Sequence, residues 1–370
     1  MKKFKILYTL YYNSEMGGLH DNVFATVQEA KNRGHEVYVA CREGIFQNKL
    51  KNCGINVINI NQDQKINSIN KILDVIGSDI DLIHTHPGNS RIIALRLART
   101  YDIPIIYHVH GAWTDNIKNY ITEVSSVFAV SNSVKQKIIE SCPEYDYKVH
   151  VIPNYSDYEV VNEPIKHKDL KSLNIALISR LEKDKSLIVE KIKNLKEFLV
   201  NTTYKITFNI IGEGSLKYDL IKFFSEHITN KNIEVNFIGW VSDKNVLKSY
   251  ILKCDLVIGP GRVAIDALTL KRPVIVVGSQ NYYGIINSEN WQRFVSSNFG
   301  GLGPKPINEG DISNDLQILI SDKNVYKESV EIGTKVIQNF FNRQDAIEKM
   351  FNIYDILLFK KSNQFHNCSF

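Results

Sequence analysis

The feature that most constrains this chain is an alternation, kept up along nearly its whole length, of short β-branched runs with amphipathic stretches. Residues 4–12, 36–40, 56–60, 81–86, 103–110, 127–131 and 149–153 read as strands. Between them, 18–33 and 91–101 read as helices, and Ser131 or Asn132 caps another that runs to about residue 140. Strand, helix, strand in this order requires right-handed crossovers and a parallel sheet covered on both faces. A polar, aperiodic stretch at 154–171 carries Pro164 and interrupts the pattern. The alternation then restarts. Strands are expected at 174–179, 205–211, 234–238, 255–258 and 273–277. Helices are expected at 185–200, after Gly214 to about 224, and at 263–270, followed by a mostly helical tail from about 311 to 360.

A chain of 370 residues has room for two domains. The boundaries read as a first domain at 1–160, a linker at 161–172, a second domain at 173–340 and a helical tail at 341–370. Hydrophobic residues at 44% and charged residues at 23% exclude collagen-like, disordered and disulfide-scaffold classes. A net charge of +5 is too weak to point to nucleic acid. No apolar run spans a membrane, and the apolar start lacks a small-residue cleavage site, so a cytoplasmic protein is expected. Cys41, Cys53, Cys142, Cys254 and Cys368 are odd in number and scattered, which suits reduced thiols.

Doubly wound sheets bind ligands outside the carboxyl ends of their strands, so the informative residues are those just after strands. Gly17-Gly18 opens the first helix, where an anion suits the positive helix end; a plain strand-to-helix turn explains it equally well. Arg180 and Lys185 follow the second domain's first strand. A guanidinium fork plus a lysine suits a diphosphate, and a solvated charge cluster is the bland alternative. At 255–277 a strand runs into Gly259-Pro260-Gly261, and a helix opens at Arg262 and Val263 with Asp266 one turn in. Its amides can hold phosphate or sugar oxygens and Asp266 can accept from ribose hydroxyls; an ordinary turn with a surface carboxylate is an equal reading. His84, His86, His108 and His110 flank two strand ends, but no acidic or cysteine partner has zinc-ligand spacing. Core packing is the reading for His84 and His108. Asp79-Ile80-Asp81 sits at a strand start, the wrong end for a ligand.

These pieces, in this order and spacing, resemble the retaining glycosyltransferases of family 4. The resemblance rests on Met16-Gly17-Gly18-Leu19, Asp81-Leu82-Ile83-His84-Thr85-His86, His108-Val109-His110-Gly111 and Phe128-Ala129-Val130-Ser131. It continues through Val151-Ile152-Pro153-Asn154, Ser179-Arg180-Leu181 with Lys185, Ile211-Gly212-Glu213-Gly214 and Phe237-Ile238-Gly239-Trp240. It ends with Asp266-Ala267-Leu268 and Arg272-Pro273-Val274-Ile275. It implies the GT-B fold, two Rossmann-like doubly wound domains facing each other across a cleft, with acceptor binding in the first and nucleotide-sugar binding in the second.

The resemblance also implies roles. Gly17 and Gly18 face the donor phosphates, Arg180 and Lys185 neutralise the leaving nucleoside diphosphate, and His110 approaches the donor sugar. Gly212, Glu213 and the loop of Gly239, Trp240 and Val241 lie near the nucleotide, and so do Gly259, Gly261, Arg262, Val263 and Asp266. The family's usual pair of donor-binding glutamates is incomplete here. The second position holds Asp266, and the first falls at Ile258, so amides around Gly261 and the Arg262 guanidinium are expected to take over. No metal or cofactor is implied, since cationic side chains and helix ends balance the phosphate charge. The expected activity is transfer from a nucleotide sugar, a UDP-sugar by preference, to a hydroxyl of a lipid-linked, glycan or cell-wall polymer acceptor. It would act in the cytoplasm or at the inner membrane face. A nucleotide-sugar 2-epimerase of the same fold and an inactive transferase-like binding subunit are the alternatives. The tail is expected to pack back on the first domain, with peripheral membrane contact as its alternative.

Overall fold

The computed structural model describes residues 3–11, 17–61, 63–165, 172–303 and 310–367. Tyr12, Met16, residues 166–171 of the 161–172 linker and Cys368 lie outside these residues. The chain divides into two compact units, one formed by Met1–Ile152 with Gln344–Phe370 and the other by Pro153–Arg343.

The first unit runs β1 (Lys5–Leu10), α1 (Gly18–Asn32), β2 (Glu36–Cys41), α2 (Ile45–Asn52), β3 (Asn56–Asn59), α3 (Lys65–Ile76) and β4 (Leu82–Thr85). It continues with α4 (Asn89–Tyr101), β5 (Ile105–Val109), β6 (Ser126–Ala129), α5 (Asn132–Ile139) and β7 (Val149–Val151). Its seven strands are all parallel, in the order β3-β2-β1-β4-β5-β6-β7. The central strands carry continuous apolar runs because helices cover both faces; Ile6, Leu7, Ile83, Ile105 and Ile106 are fully buried.

The second unit runs β8 (Ser172–Ile178), α6 (Ser186–Lys193), α7 (Lys196–Asn201), β9 (Lys205–Ile211), α8 (Lys217–His227), β10 (Ile233–Gly239) and α9 (Lys244–Lys253). Then come β11 (Leu256–Ile258), α10 (Arg262–Thr269), β12 (Val274–Val277), β13 (Tyr282–Ile285), α11 (Trp291–Ser297), α12 (Ile312–Ser321) and α13 (Lys323–Phe340). The strand order is β10-β9-β8-β11-β12-β13. A wholly parallel sheet was expected, but β13 pairs antiparallel with β12. It follows β12 through a short connection, which is too short for a helical crossover.

In both sheets the strand order reverses direction once, between β1 and β4 in the first unit and between β8 and β11 in the second. Such a switch point opens a crevice at the carboxyl strand ends, where doubly wound folds bind ligands.

The last helix, α14 (Arg343–Asn367), returns the chain to the first unit. Ala346, Ile347, Met350, Phe351, Tyr354 and Leu358 form one buried stripe at helical spacing. Arg33 stacks 4.4 Å over the Phe351 ring and pairs with Glu348 at 2.6 Å, and Lys361 donates to the Ile80 carbonyl. The Tyr354 hydroxyl lies 2.5 Å from His84 Nδ1 and 3.2 Å from the Tyr8 hydroxyl. Among the described residues no helix is long and apolar enough to cross a membrane.

Tyr354→Phe leaves His84 Nδ1 buried without its partner and should cost about 1–3 kcal/mol. Tyr8→Phe keeps the Tyr354–His84 contact and should cost less. Urea midpoints of the two variants measure the difference, and equal losses would show that the Tyr354–His84 bond carries no special weight.

Candidate active site

The rim of the second sheet is built from the loops after β8, β9, β10 and β11. Backbone hydrogen bonds lace the first three together. Ser179 N donates to Ile211 O at 3.1 Å, Leu181 N to Glu213 O at 2.9 Å, Leu216 N to Leu181 O at 2.7 Å and Gly212 N to Gly239 O at 2.8 Å. Approach this close leaves no room for side chains. A β-carbon on Gly212 would stand 1.8 Å from Ser179 O, and one on Gly259 would stand 2.7 Å from Ile178 O. Gly212 and Gly259 were expected to face the donor; their glycine character is required by loop packing.

Gly261 differs. Its φ of +55° favours glycine, yet a β-carbon there would meet nothing within 4 Å. It stands at the start of α10, no side chain caps that helix end, and its own N–H donates to Phe299 O at 2.7 Å. Gly261 therefore borders free space at the uncapped amino end of α10, beside the switch point, the kind of place where an anion suits a helix end.

The cations sit on the adjacent strand end. Arg180 Nη2 is 3.0 Å from Asp184 Oδ2, and Lys185 Nζ is 3.9 Å from the same carboxylate. The Lys185 side chain is 17% exposed. Burial pushes its amine below the usual lysine range; Asp184 opposes the shift and Arg180 adds to it. Glu213 pairs with Lys217 at 2.6 Å, and its carboxylate lies where a β-carbon of Gly239 would be, 2.8 Å away. Trp240 is 38% exposed, and Val241 is half-buried beside it.

Two expectations are corrected here. Arg262 was expected to turn to the donor, but its Nη2 is held 2.5 Å from Asp157 Oδ2, which Lys244 also engages, and its side chain is 10% exposed. Asp266 was expected as an open ribose acceptor. It is 7% exposed, and its Oδ1 accepts from the Ser156 hydroxyl at 2.6 Å. Both side chains brace the segment that leads out of the first unit. Val263 packs against Gly259, its Cγ1 being 2.9 Å from a β-carbon built there.

In the first unit Gly17 is buried and extended, Gly18 is exposed, and no side chain caps α1. Next to the switch point, β4 and β5 carry the histidines. His84, His86, His108 and His110 form a continuous stack, with His108 and His110 centroids 4.1 Å apart and His84 and His86 4.9 Å apart. Phe128 closes the stack edge-on against His84 and His108. Desolvation, followed by repulsion from neighbouring imidazoles, keeps His84, His108 and His110 well below the usual histidine range, and burial takes His86 to about 3. All four rings are neutral at physiological pH. Donor atoms of His84, His86 and His108 come within 4.8 Å of one another. That group contains no carboxylate or thiolate, so a dication there would be buried without an anionic ligand.

Sequence reasoning missed the partners that hold these groups. Tyr354 lies 270 residues from His84 and Ser156 lies 110 from Asp266, so no local spacing signals either pair. It also missed Asp115, at φ +55°, which accepts from Gly88 N at 2.8 Å and pairs with Arg91 at 3.0 Å, anchoring the loop after His110.

Residues 16–160 match the model of Glycosyltransferase Family 4. The chain is 25% identical over 306 residues to the UDP-Gal:alpha-D-GlcNAc-diphosphoundecaprenol alpha-1,3-galactosyltransferase of Escherichia coli, covering 74% of this chain and 75% of that one. It is 21% identical over 364 residues to the poly(ribitol-phosphate) alpha-N-acetylglucosaminyltransferase of Staphylococcus aureus (strain COL), covering 95% and 67%. Among solved structures, Anabaena Alr3699/HepE in complex with UDP and glucose superposes with a TM-score of 0.71 at 15% identity, covering 95% of this chain and 99% of that one. The two sheets and their helices are those of the GT-B fold.

The glycines should separate packing from binding. Gly212→Ala drives a β-carbon into Ser179 O and should lower the melting temperature sharply. Gly261→Ala costs only backbone strain, about 1–3 kcal/mol. It should stay folded while losing affinity for UDP, read by calorimetric titration beside a thermal melt. Undiminished UDP affinity in folded Gly261→Ala would remove the α10 end from the site.

Proposed function

We propose a donor, an acceptor class and a stereochemical course for what is a glycosyltransferase of the GT-B fold carrying a family 4 domain. The enzyme moves a sugar from a UDP-sugar to a hydroxyl of a lipid-linked or polymer acceptor, with retention and without a metal ion. The observation that carries this is the pairing, at the second unit's switch point, of the open α10 amino end at Gly261 with Arg180 and Lys185 on the neighbouring strand end. The relatives' names support the rest, one acting on a diphosphoundecaprenol-linked sugar from UDP-Gal and the other on poly(ribitol-phosphate). Polysaccharide or cell-wall synthesis at the cytoplasmic membrane face fits such acceptors.

The chemistry follows from charge. As the bond between the anomeric carbon and the diphosphate breaks, negative charge grows on the leaving UDP. A guanidinium fork, a buried ammonium and helix amides stabilise that charge in place of a metal. Arg180 gives up part of its contact with Asp184 to do so. Gly17 and Gly18 at the open end of α1 serve the phosphates in the same way, and His110 meets the donor sugar. An epimerase needs carboxylates free to move protons. On this rim Glu182 accepts from Ser215 at 2.9 Å, Glu213 pairs with Lys217, and Asp266 accepts from Ser156. Incubation with UDP-sugars separates the readings. A transferase releases UDP, an epimerase interconverts the sugar, and a binding subunit leaves it unchanged.

Arg180→Ala and Lys185→Ala should each lower kcat/KM by roughly 10–100-fold, the equivalent of about 1.5–3 kcal/mol for one charge-assisted bond. Wild-type values in both variants would refute the diphosphate assignment.

Burial lowers the Lys185 pKa, so its charge is complete at low pH and is lost as pH rises through that lowered value. The alkaline limb of kcat/KM should therefore fall below the ordinary lysine range. In Lys185→Arg, which stays charged, that limb should move up. An unmoved limb would assign it to another group.

EDTA should leave turnover intact. Loss of activity restored by Mn²⁺, or stoichiometric zinc in the purified protein, would overturn the metal-free reading.

A further inference from the structure

His86 and His110 are each the first residue past adjacent parallel strands, β4 and β5, and His86 Nδ1 lies 2.9 Å from His110 Nε2. Both rings are neutral, so the contact joins one N–H to one lone pair. The other nitrogens decide which ring donates. His86 Nε2 is buried with no hydrogen-bond partner. An orphaned buried N–H is rarer and costlier than an unused lone pair, which leaves Nε2 bare and puts the His86 proton on Nδ1. His86 therefore donates, His110 accepts at Nε2, and the His110 proton is on Nδ1. The rings below hold this pair in place. His108 stacks on His110, and His84 stacks on both His86 and His108 with its own Nδ1 tied to Tyr354.

We propose that His86 is a positioning residue for the transfer reaction. By donating from Nδ1 to His110 Nε2 it fixes the His110 ring and tautomer, so that His110 meets the donor as a neutral N–H donor at Nδ1. The inference rests on the placement of His110 at the donor sugar made under Proposed function. A neutral donor suits that place. It can hydrogen-bond a sugar or phosphate oxygen without setting a full positive charge beside a carbon that is itself becoming positive. An imidazole free to rotate or to switch tautomer would offer a lone pair there for part of the time.

The test uses the full chain, with UDP-N-acetylglucosamine and UDP-galactose as donor probes and UDP release as readout. Nitrogen-15 NMR of histidine-labelled wild-type protein should find the His110 proton on Nδ1. His86→Leu should lower kcat on the order of 10²-fold at unchanged donor KM, the scale of a mispositioned group. His86→Asn, whose amide N–H can replace the donor, should recover much of that loss. Thermal melts accompany each variant. A His110 proton on Nε2 in the wild type overturns the inference. So does a folded His86→Leu with wild-type kcat when His110→Ala is slow. Wild-type turnover in His110→Ala rejects the placement of His110 itself, and the inference with it. If the wild type releases UDP from neither probe, the donor assignment is what fails, and the NMR result alone decides the tautomer.

Discussion

The close approach of the loops after β8 and β9 governs the second unit. The two loops are laced by main-chain bonds from Ser179, Leu181, Gly212 and Leu216, so the backbone itself is the scaffold. Those bonds fix the backbone on either side of Arg180. Main-chain bonds of this kind add rigidity without using side chains, which leaves the cations free for charge. The cost is strict glycine at the crossing points, since a single β-carbon at Gly212 would part the strands' ends. The first unit solves the same problem with side chains. There a stack of neutral rings, locked from beneath by Tyr354 and Phe128, holds the strand ends in register.

Much of this could be read from the sequence, because the doubly wound pattern is a periodicity and periodicities are local. The strands, their alternation with helices, the restart after the polar stretch and the residues at the strand ends all follow from short windows of sequence. Arg180, Lys185 and Gly261 stand just past strands, which makes them legible as candidates. The rest depended on distant partners. Asp266 looks like an exposed acceptor until Ser156 is placed against it, and Arg262 looks available until Asp157 is. The antiparallel β13 escaped because an edge strand of four residues carries too few side chains to show a period. The histidine cluster was visible as four residues, but its geometry was not. Two flanking pairs on neighbouring strands become one stack only once β4 and β5 are known to be adjacent.

Packing four imidazoles together, three of them buried and His110 half-buried, has an electrostatic consequence. Each ring lowers its neighbours' proton affinity, and desolvation lowers all four further, so the group titrates far below neutrality. His110, which we propose meets the donor sugar, is in this way removed from the pH range where histidines ordinarily switch charge. In that role a neutral ring contributes a fixed dipole, the form of stabilisation that needs no rearrangement when the bond breaks.

The path of the chain through its two units bears on how the protein is made. Residues 153–343 are contiguous, so the second unit has all its strands once that stretch has left the ribosome. The first unit is interrupted. Its seven strands emerge early, but the helix that caps the Tyr8–His84 face arrives only after the whole second unit has been synthesised. At typical elongation rates of about 5–20 residues per second, that interval lasts on the order of ten seconds or more. Throughout it the face that will receive Met350, Phe351 and Tyr354 lacks its cover, so the nascent first unit carries exposed apolar surface until the last helix is made.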